Sequence, residues 1–285
     1  MHSNTNSHLQ KSTLNNGSAI TVGNYNENNE SAESKFTPGS DSANSATVST
    51  VNTVNEEFVI VKATPTDFED ILEFMLRDFL HTEPLNQALN VGPDDAAYFF
   101  AEIIRNNLTD NLSYLAREKR SDRNLGRVVA IRLSSILTRP SVSTITKYGG
   151  AATVKVSEFS DAKICLDKIR KIELFLETIE SKTWKILPAR FQRLMSVAIL
   201  SVDSAWTRRG IARRLVTHNL DEARRAGCQG IVTEATAFNS QQLFAKCGYR
   251  RLYEIAHAEW CDENGAQIFR CADRTNSATL EFLEL

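Results

Sequence analysis

Residues 194–226, which read LMSVAILSVDSAWTRRGIARRLVTHNLDEARRA, decide the fold of this chain. The segment 194–202 is a continuous apolar run rich in branched side chains, typical of a strand covered on both faces. A short polar turn follows at 203–209, and after Gly210 the apolar residues recur at helical spacing as far as Ala226. The sequence therefore predicts a strand, a turn and a helix in succession.

The turn between this strand and this helix is predicted to bind an anion. The first backbone N–H groups of a helix have no partner within it and carry the positive end of the helix dipole, which suits a phosphate. The donors are expected to be the amides of residues 208–212, and the side chains of Arg208 and Arg209 add charge at the rim. Gly210 and Ala212 are small enough to let a diphosphate approach the backbone.

The composition of the 285-residue chain excludes several classes of protein. Its 42% hydrophobic content suffices for one sizeable core, and its net charge of −2 gives no general attraction for nucleic acid. The longest apolar runs are strand-length and the amino terminus is polar, so we expect no membrane span, no secretory signal and a cytoplasmic location. Five widely spaced cysteines without a Cys-x-x-Cys pair favour reduced thiols, and no metal is expected.

The chain is predicted to divide at about residue 56. Residues 1–56 are rich in Ser, Asn and Thr and poor in large apolar residues, which predicts a disordered tail, and residues 57–285 are predicted to form one α/β domain. The predicted strands are 58–63, 112–116, 127–137, 194–202, 230–236, 249–260, 267–272 and 279–285, of which 249–260 and 267–272 form a hairpin and 279–285 an edge segment. The predicted helices are 67–82, 93–107, 162–186, 211–226 and 239–247, with 119–126 as a turn and 138–160 as a surface loop.

The turn motif resembles a known family. Arg-Arg-Gly-Ile-Ala at 208–212, after a strand, resembles the acetyl-CoA signature of the GNAT superfamily of N-acetyltransferases, Gln/Arg-x-x-Gly-x-Gly/Ala, with Thr207 in place of its first residue. The predicted order of elements over 57–285 also resembles the GNAT fold, a mixed, mostly antiparallel sheet flanked by helices. The resemblance implies that acetyl-CoA is held by Leu200, Val202, Arg208, Arg209, Gly210, Ile211 and Ala212.

Two further stretches are similar to the insect-type arylalkylamine N-acetyltransferases, which include dopamine acetyltransferases. They are Thr-Glu-Pro-Leu-Asn-Gln-Ala-Leu at 82–89 and Ile-Leu-Ser-Val-Asp-Ser at 199–204. The resemblance implies that Glu83 is the general base. It also implies that Thr236 and Ser240 match a pair of serines leading into the last short helix, and the threonine keeps the hydroxyl.

The acid that protonates the leaving thiolate is less well defined by the resemblance. Many other GNAT enzymes use a tyrosine in the last short helix, and the equivalent residue here is Phe244, which has no proton to give. Ser240, Thr236, Tyr249 or water would have to serve instead.

The predicted residues match what acetyl transfer to an amine requires. An alkylamine with a pKa near 10 is about one part in 1000 unprotonated at pH 7, so its deprotonation costs about 4 kcal/mol. A partly desolvated carboxylate such as Glu83 can take that proton through a water molecule. The thioester oxygen needs a preset donor, and a backbone N–H near Leu200, where the strand separates from its neighbour, is expected to supply it.

Each candidate residue also has a plainer structural interpretation. Glu83 could cap a helix end, Ser240 could satisfy helix backbone, and Thr236 could be an ordinary strand residue. Glu234 could be a second carboxylate at the site or half of an ion pair, and His81 a second base or a surface residue.

Three functions therefore remain open. The first is acetyl transfer from acetyl-CoA to the primary amine of a small arylalkylamine of the dopamine, tyramine or serotonin type. The second changes the acceptor to a polyamine or another aliphatic amine, which an acidic pocket would favour. The third is an acyl-CoA-binding module without catalysis, suggested by Phe244 and Thr207. In the enzyme readings the partner is a small amine, and a monomer or dimer is expected, without nucleic acid or membrane.

Overall fold

The structure is a computed structural model that describes residues 20–21, 57–121, 124–140 and 160–285. Most of the predicted tail and of the predicted loop 138–160 lies outside these ranges, and the domain boundary at residue 56 stays a prediction. Within the described residues one sheet has the strand order β2-β3-β4-β5-β1-β6-β8-β7. Its strands are β1 (Ile20–Thr21), β2 (Phe58–Lys62), β3 (Tyr114–Ser121), β4 (Asn124–Thr138), β5 (Arg193–Val202), β6 (Gly230–Ala235), β7 (Arg250–Ala256) and β8 (Ser277–Glu284).

The sheet is mixed and mostly antiparallel, as the sequence predicts. β2, β3, β4 and β5 pair antiparallel in that order, and so do β6, β8 and β7. The two halves meet where β5 and β6 run parallel, at Leu194–Ser196 opposite Gly230–Val232. Because the carboxyl ends of these two strands lie at the same end of the sheet, the segments that follow them converge there.

Helices cover both faces of the sheet. They are α1 (Phe68–Phe74), α2 (Leu80–Thr82), α3 (Pro84–Ala88), α4 (Pro93–Asn107), α5 (Ser160–Glu180), α6 (Thr183–Ile186), α7 (Ile211–Thr217), α8 (Leu220–Arg225) and α9 (Phe238–Lys246). Adjacent residues of β5, such as Leu194 and Met195, enter different core clusters because successive side chains of a strand point to opposite faces. One cluster packs against α1, α4 and α5, and the other against α7 and α9.

The first predicted helix has the expected limits but an irregular centre. α1 and α2 are joined by a π-helical turn at Met75–Phe79, and the helical run ends before Glu83, whose backbone is extended. Pro84 explains this end, because the residue before a proline disfavours the helical conformation. Glu83 thereby becomes the residue that joins α2 to α3.

The predicted helix 211–226 is interrupted, and the single-helix prediction is wrong at this point. α7 stops at Thr217, and Asn219 adopts a positive φ of 49° before α8 begins. The buried guanidinium of Arg132 donates hydrogen bonds to the carbonyls of Leu215, at 2.7 Å, and His218, at 2.9 Å. In a continuing helix these carbonyls would accept backbone N–H groups of the next turn. Here the Arg132 guanidinium supplies donors to them instead.

The carboxyl-terminal predictions are also corrected. β7 is shorter than predicted, and the segment predicted as its hairpin partner, 267–272, contributes only a bridge between Gln267 and Cys261. The predicted edge segment is β8, which lies inside the sheet between β6 and β7. Its residues 277–282 are all buried, and a strand buried on both faces needs neighbours along both edges to satisfy its backbone.

The predicted turn at 119–126 is shorter than expected. β3 and β4 extend through most of this range and pair as far as Ser121 opposite Asn124. Only residues 122–123 separate the two strands, and they lie outside the described ranges.

Candidate active site

The candidate site begins where β5 and β6 separate. Their direct pairing ends at Ser196 opposite Val232. Farther along, β1 lies between them, with Thr21 opposite both Leu200 of β5 and Ala235 of β6. Since neighbouring strands are about 4.8 Å apart, an intervening strand means that β5 and β6 are about 10 Å apart at this level.

A bulge in β5 lies next to this opening. The pairing of β4 with β5 changes register between Leu133, opposite Ile199, and Ser134, opposite Val197, so Ala198 is the additional residue. A bulge bends its strand and turns the backbone that follows, and bulges are common beside active sites. The backbone predicted to stabilise an oxyanion, near Leu200, therefore lies just beyond the bulge and beside the gap.

The turn after β5 is firmly held. The backbone N–H of Ser204 donates to the Asp78 carboxylate at 2.9 Å, and the Asp203 carboxylate accepts the N–H of Ala205 at 2.9 Å. Arg208 and Gly210 then adopt positive φ angles of 65° and 74°. Turns with residues in the left-handed conformation form concavities of N–H groups that bind anions. A side-chain carbon added at Gly210 would meet no atom within 4 Å, so the space above the turn is open.

The predicted cofactor residues divide into two groups. Leu200, Val202, Ile211 and Ala212 have buried side chains, so only their backbones are suited to contact a bound molecule. The side chains of Arg208 and Arg209 are exposed at the turn.

Arg209 already has two partners. Its guanidinium carbon lies 4.4 Å from the centre of the Trp206 ring, and its Nη1 contacts the carboxylate of Glu57. The arginine that was predicted to bind a phosphate thus already contacts an anion of the chain itself, the carboxylate of Glu57.

Glu83 is fully buried at the α2–α3 junction. Its Oε2 accepts the backbone N–H of Asn86 at 2.6 Å, and the hydroxyl of Thr236 hydrogen-bonds to the carboxylate. Oε1 is buried without a hydrogen-bond partner among the described residues. Burial raises the pKa of Glu83 to about 7, although these hydrogen bonds oppose the rise. A carboxyl group with this pKa is well matched to proton transfer at neutral pH.

Two residues that the sequence did not indicate, Cys271 and Asp273, lie near Glu83, and a third, His257, contacts Cys271. The Sγ of Cys271 lies 3.7 Å from the carbonyl oxygen of Pro84 and 3.6 Å from Nδ1 of His257. Burial, followed by the nearby charges of Glu83 and Asp273, raises the pKa of the Cys271 thiol to about 12. Burial lowers the pKa of His257, so its imidazole is neutral at pH 7. No sequence pattern marked these positions, because Cys271 and His257 lie in segments that were expected to be ordinary strands and Asp273 follows one of them.

The rings beyond His257 form an aromatic group. Phe175 lies 5.8 Å from His257, 5.0 Å from Trp260 and 4.9 Å from Phe269, measured between ring centres. Phe175 and Phe269 are fully buried, whereas Trp260 is partly exposed. The group therefore extends from the core to the surface beside His257.

The two predicted hydroxyl residues lie on the β6 side of the opening. Thr236 immediately follows β6, and Ser240 is in the first turn of α9, and both side chains are fully buried. The Gln241 side chain ties this turn to the sheet by donating to the carbonyl oxygens of Ala235, at 3.2 Å, and Ser277, at 2.8 Å. The structure thus brings Thr236 to Glu83 and fixes Ser240 one helical turn away.

Other candidates lie elsewhere. Phe244 and Tyr249 pack together, with ring centres 4.9 Å apart, in the core cluster on the face opposite that of Leu85, the neighbour of the general-base candidate. Burial raises the pKa of Tyr249 far above its ordinary value, which makes its hydroxyl a poor acid. Glu234 is buried within β6, and His81 is exposed at the end of α2.

Comparison with known families defines the class of protein. The model of the acetyltransferase (GNAT) family matches residues 183–249, which include β5, the turn and β6. The chain carries a GNAT acetyltransferase domain. No curated protein is significantly similar to the chain.

Solved structures with the same fold include insect amine acetyltransferases. Arylalkylamine N-acetyltransferase 2 from Aedes aegypti is 22% identical, with 80% of this chain and 99% of that chain covered and a TM-score of 0.64. The polyamine N-acetyltransferase of Drosophila melanogaster, which catalyses formation of N-acetylagmatine, is 20% identical, with 80% and 100% covered and a TM-score of 0.60. An agmatine N-acetyltransferase variant without ligand is 19% identical, with 81% and 100% covered and a TM-score of 0.61. At these identities the likeness shows the shared fold.

The described residues contain neither a membrane-spanning helix nor a cluster of metal-binding side chains. No helix there is long and apolar enough to cross a lipid bilayer. No group of three or more His, Cys, Asp or Glu side chains in the same ranges is arranged to hold a metal ion.

Proposed function

We propose that this protein transfers the acetyl group of acetyl-CoA to the primary amine of a small arylalkylamine. The observation that carries the proposal is the buried Glu83 carboxyl, whose pKa of about 7 suits a general base, hydrogen-bonded to Thr236 at the end of β6. Thr236 follows Ala235, the residue of β6 that faces the opening beside Leu200. The base and the predicted oxyanion donor therefore lie on opposite sides of one cleft.

The residues of the turn suit the diphosphate of acetyl-CoA. The backbone N–H groups of residues 208–212 line an open concavity, and Arg208 and Arg209 supply positive charge at its edge. The thioester would then lie along the carboxyl-terminal half of β5, where Leu200 and Val202 contribute backbone groups. This arrangement uses the chain's own N–H groups and requires no metal.

Proton removal from the amine is assigned to Glu83. The ionised carboxylate takes a proton from the ammonium group, and the free amine attacks the thioester carbonyl carbon. The developing negative charge on the carbonyl oxygen is stabilised by a backbone N–H near Leu200, which is fixed in place by the pairing of β5 with β4. The C–S bond then breaks, the attacking nitrogen gives its extra proton to water, and the thiolate leaves.

Protonation of that thiolate is assigned to Ser240 or to water. Tyr249 packs on the other face of the sheet, and Thr236 already donates its hydroxyl proton towards Glu83. Ser240 is the remaining predicted hydroxyl, one helical turn beyond Thr236.

Two observations bear on the acceptor. The aromatic group of Phe175, Trp260 and Phe269 lies beside His257 and supports an aromatic amine, since rings favour stacked or edge-on contact with rings. Asp273 adds a second negative charge near Glu83 and favours a second candidate, a polyamine with a further cationic nitrogen. The arylalkylamine is preferred over the polyamine because the rings form a continuous group, whereas Asp273 is exposed and its charge is screened by water.

The test is release of CoA thiol by the purified protein with tyramine, dopamine, serotonin, tryptamine, spermidine and a lysine-rich peptide. Turnover confined to the aromatic amines supports the proposal, and turnover on spermidine alone transfers it to the second candidate. Binding of CoA without turnover of any amine would favour the binding-module reading.

We further propose a cytoplasmic monomer or dimer that acts on small molecules, independent of nucleic acid and membrane.

A further inference from the structure

The opening between β5 and β6 is occupied by the chain itself. Ile20 pairs with Ile199, and Thr21 pairs with Leu200 on one side and Ala235 on the other, all in parallel. These partners are the backbone positions that border the proposed acetyl-CoA site. β1 is far from its neighbours in sequence, so its pairing is a long-range contact made by a segment of the Ser- and Asn-rich region.

A second contact, from the first residue of the predicted domain, reaches the other end of the site. The carboxylate of Glu57 contacts Nη1 of Arg209, the arginine assigned to the diphosphate. A carboxylate is an anion with two acceptor oxygens and can take the place of a phosphate opposite a guanidinium. Backbone groups thus fill the middle of the site while a carboxylate neutralises its charged end.

The shape of acetyl-CoA explains why such contacts would compete with it. If the diphosphate lies at residues 208–212 and the thioester near Leu200, the arm that joins them must run along the edge of β5 that faces β6. That arm contains two amide groups, which can pair with a strand edge as a peptide backbone does. β1 pairs with the same edge, so the two cannot occupy it together.

From these contacts we infer that residues 20–21 act as an intramolecular competitor of acetyl-CoA, and that acetyl-CoA binds only when they leave the cleft. The inference rests on the proposed acetyl-CoA site. It adds a regulatory role for a region predicted to be a disordered tail. The apparent dissociation constant of CoA then equals the intrinsic value divided by the fraction of molecules in which the cleft is open.

The test removes the backbone donors of β1 in the full chain. The variant is Ile20→Pro/Thr21→Pro, which has no N–H group at either position, and the control is Ile20→Ala/Thr21→Ala, which keeps both. The dissociation constant of CoA is measured by calorimetry for wild type and both variants. We expect the proline variant to bind CoA about five- to tenfold more tightly than wild type and the alanine control to change less than twofold.

A peptide added in trans provides an independent measurement. A synthetic peptide with the sequence of residues 16–25 is expected to weaken CoA binding by the proline variant, and a scrambled peptide is not. Equal CoA affinity in all three proteins would overturn the inference while leaving the proposed function intact. Weaker binding by the proline variant, with a lower melting temperature, would show that β1 is a permanent part of the sheet. Absence of CoA binding in every protein would overturn both proposals.

Discussion

The Thr236 hydroxyl and the Glu83 carboxylate are joined by a hydrogen bond that links the end of β6 to the α2–α3 junction. This bond lowers the pKa of Glu83 and opposes the effect of burial. Thr236→Val should therefore raise that pKa and move the rising limb of the pH–rate profile to higher pH. The rate at pH 7 should fall about three- to tenfold. Thr236→Ser, which keeps the hydroxyl, should resemble wild type, and an unshifted profile in the valine variant would show that the bond is irrelevant to catalysis.

Loss of the Glu83 carboxylate should separate catalysis from cofactor binding. Glu83→Gln should reduce turnover about 100-fold, the usual scale for a general base, while the dissociation constant of acetyl-CoA stays the same. Steady-state kinetics and calorimetry measure the two quantities. Glu102→Gln, which alters a partly exposed glutamate of α4 that is paired with Arg105, is the matched control. Turnover retained in Glu83→Gln would remove this residue from the mechanism.

The same substitution should stabilise the protein, but only at high pH. The pKa of about 7 in the folded chain exceeds the ordinary value of 4.5, so the folded state binds the Glu83 proton more tightly than the unfolded state does. The resulting stability is complete below pH 4.5 and is lost as the pH rises through 7. The difference in the free energy of unfolding between Glu83→Gln and wild type should therefore be about 2–3 kcal/mol more favourable to the variant at pH 8 than at pH 4. Urea unfolding at both pH values checks this, and a gain of the same size at both would contradict the assignment.

Arg209 should contribute to cofactor affinity rather than to turnover. Arg209→Ala removes a charge-assisted hydrogen bond to a phosphate, so we expect about a tenfold weaker dissociation constant for CoA and nearly unchanged turnover at saturation. Arg170→Ala, at an exposed ion pair with Glu173 and Glu177 of α5, serves as the control. A fall in saturated turnover with unchanged affinity would place Arg209 in the chemistry instead.

Two glycines offer a matched test of the turn. Gly210 and Gly265 both have a positive φ, 74° and 78°, and an added side-chain carbon would meet no atom within 4 Å at either position. Alanine at either site should therefore cost about 1 kcal/mol in the free energy of unfolding, through backbone strain alone. Only Gly210→Ala should also weaken CoA binding. If both variants bound CoA as wild type does, the backbone of the turn would not approach the diphosphate.

Local patterns predicted those elements whose limits are set by nearby residues. The helix α4 begins at Pro93, where a proline fits the first turn, and ends at Asn107, as its spacing of apolar residues indicates. The apolar run of β5 and the small residues after it predicted the turn of the candidate site. The end of α7 was not predicted, because it depends on Arg132, which is distant in sequence and donates hydrogen bonds to the carbonyls of Leu215 and His218.

The candidate site was predictable only where a family pattern marks single residues. Glu83 before Pro84 and the hydroxyl of Thr236 followed from the resemblance, and the structure brings them together. Cys271 comes near Glu83, and His257 contacts Cys271, through the packing of segments that were expected to be strands. No spacing in the sequence encodes that contact, because it depends on where β8 enters the sheet.

The position of β8 has a consequence for folding during synthesis. β6 and β7 both leave the ribosome before β8, yet each pairs with β8 rather than with the other. Until residues 277–284 emerge, one edge of β6 and both edges of β7 lack a partner strand among the described residues, and such edges are prone to pair with other chains. The half of the cleft that carries Thr236 and Ser240 can therefore become rigid only after β8 has emerged. A ribosome-bound chain that has β5 and the phosphate turn but lacks β8 should hold the cofactor end of the site without an ordered catalytic end.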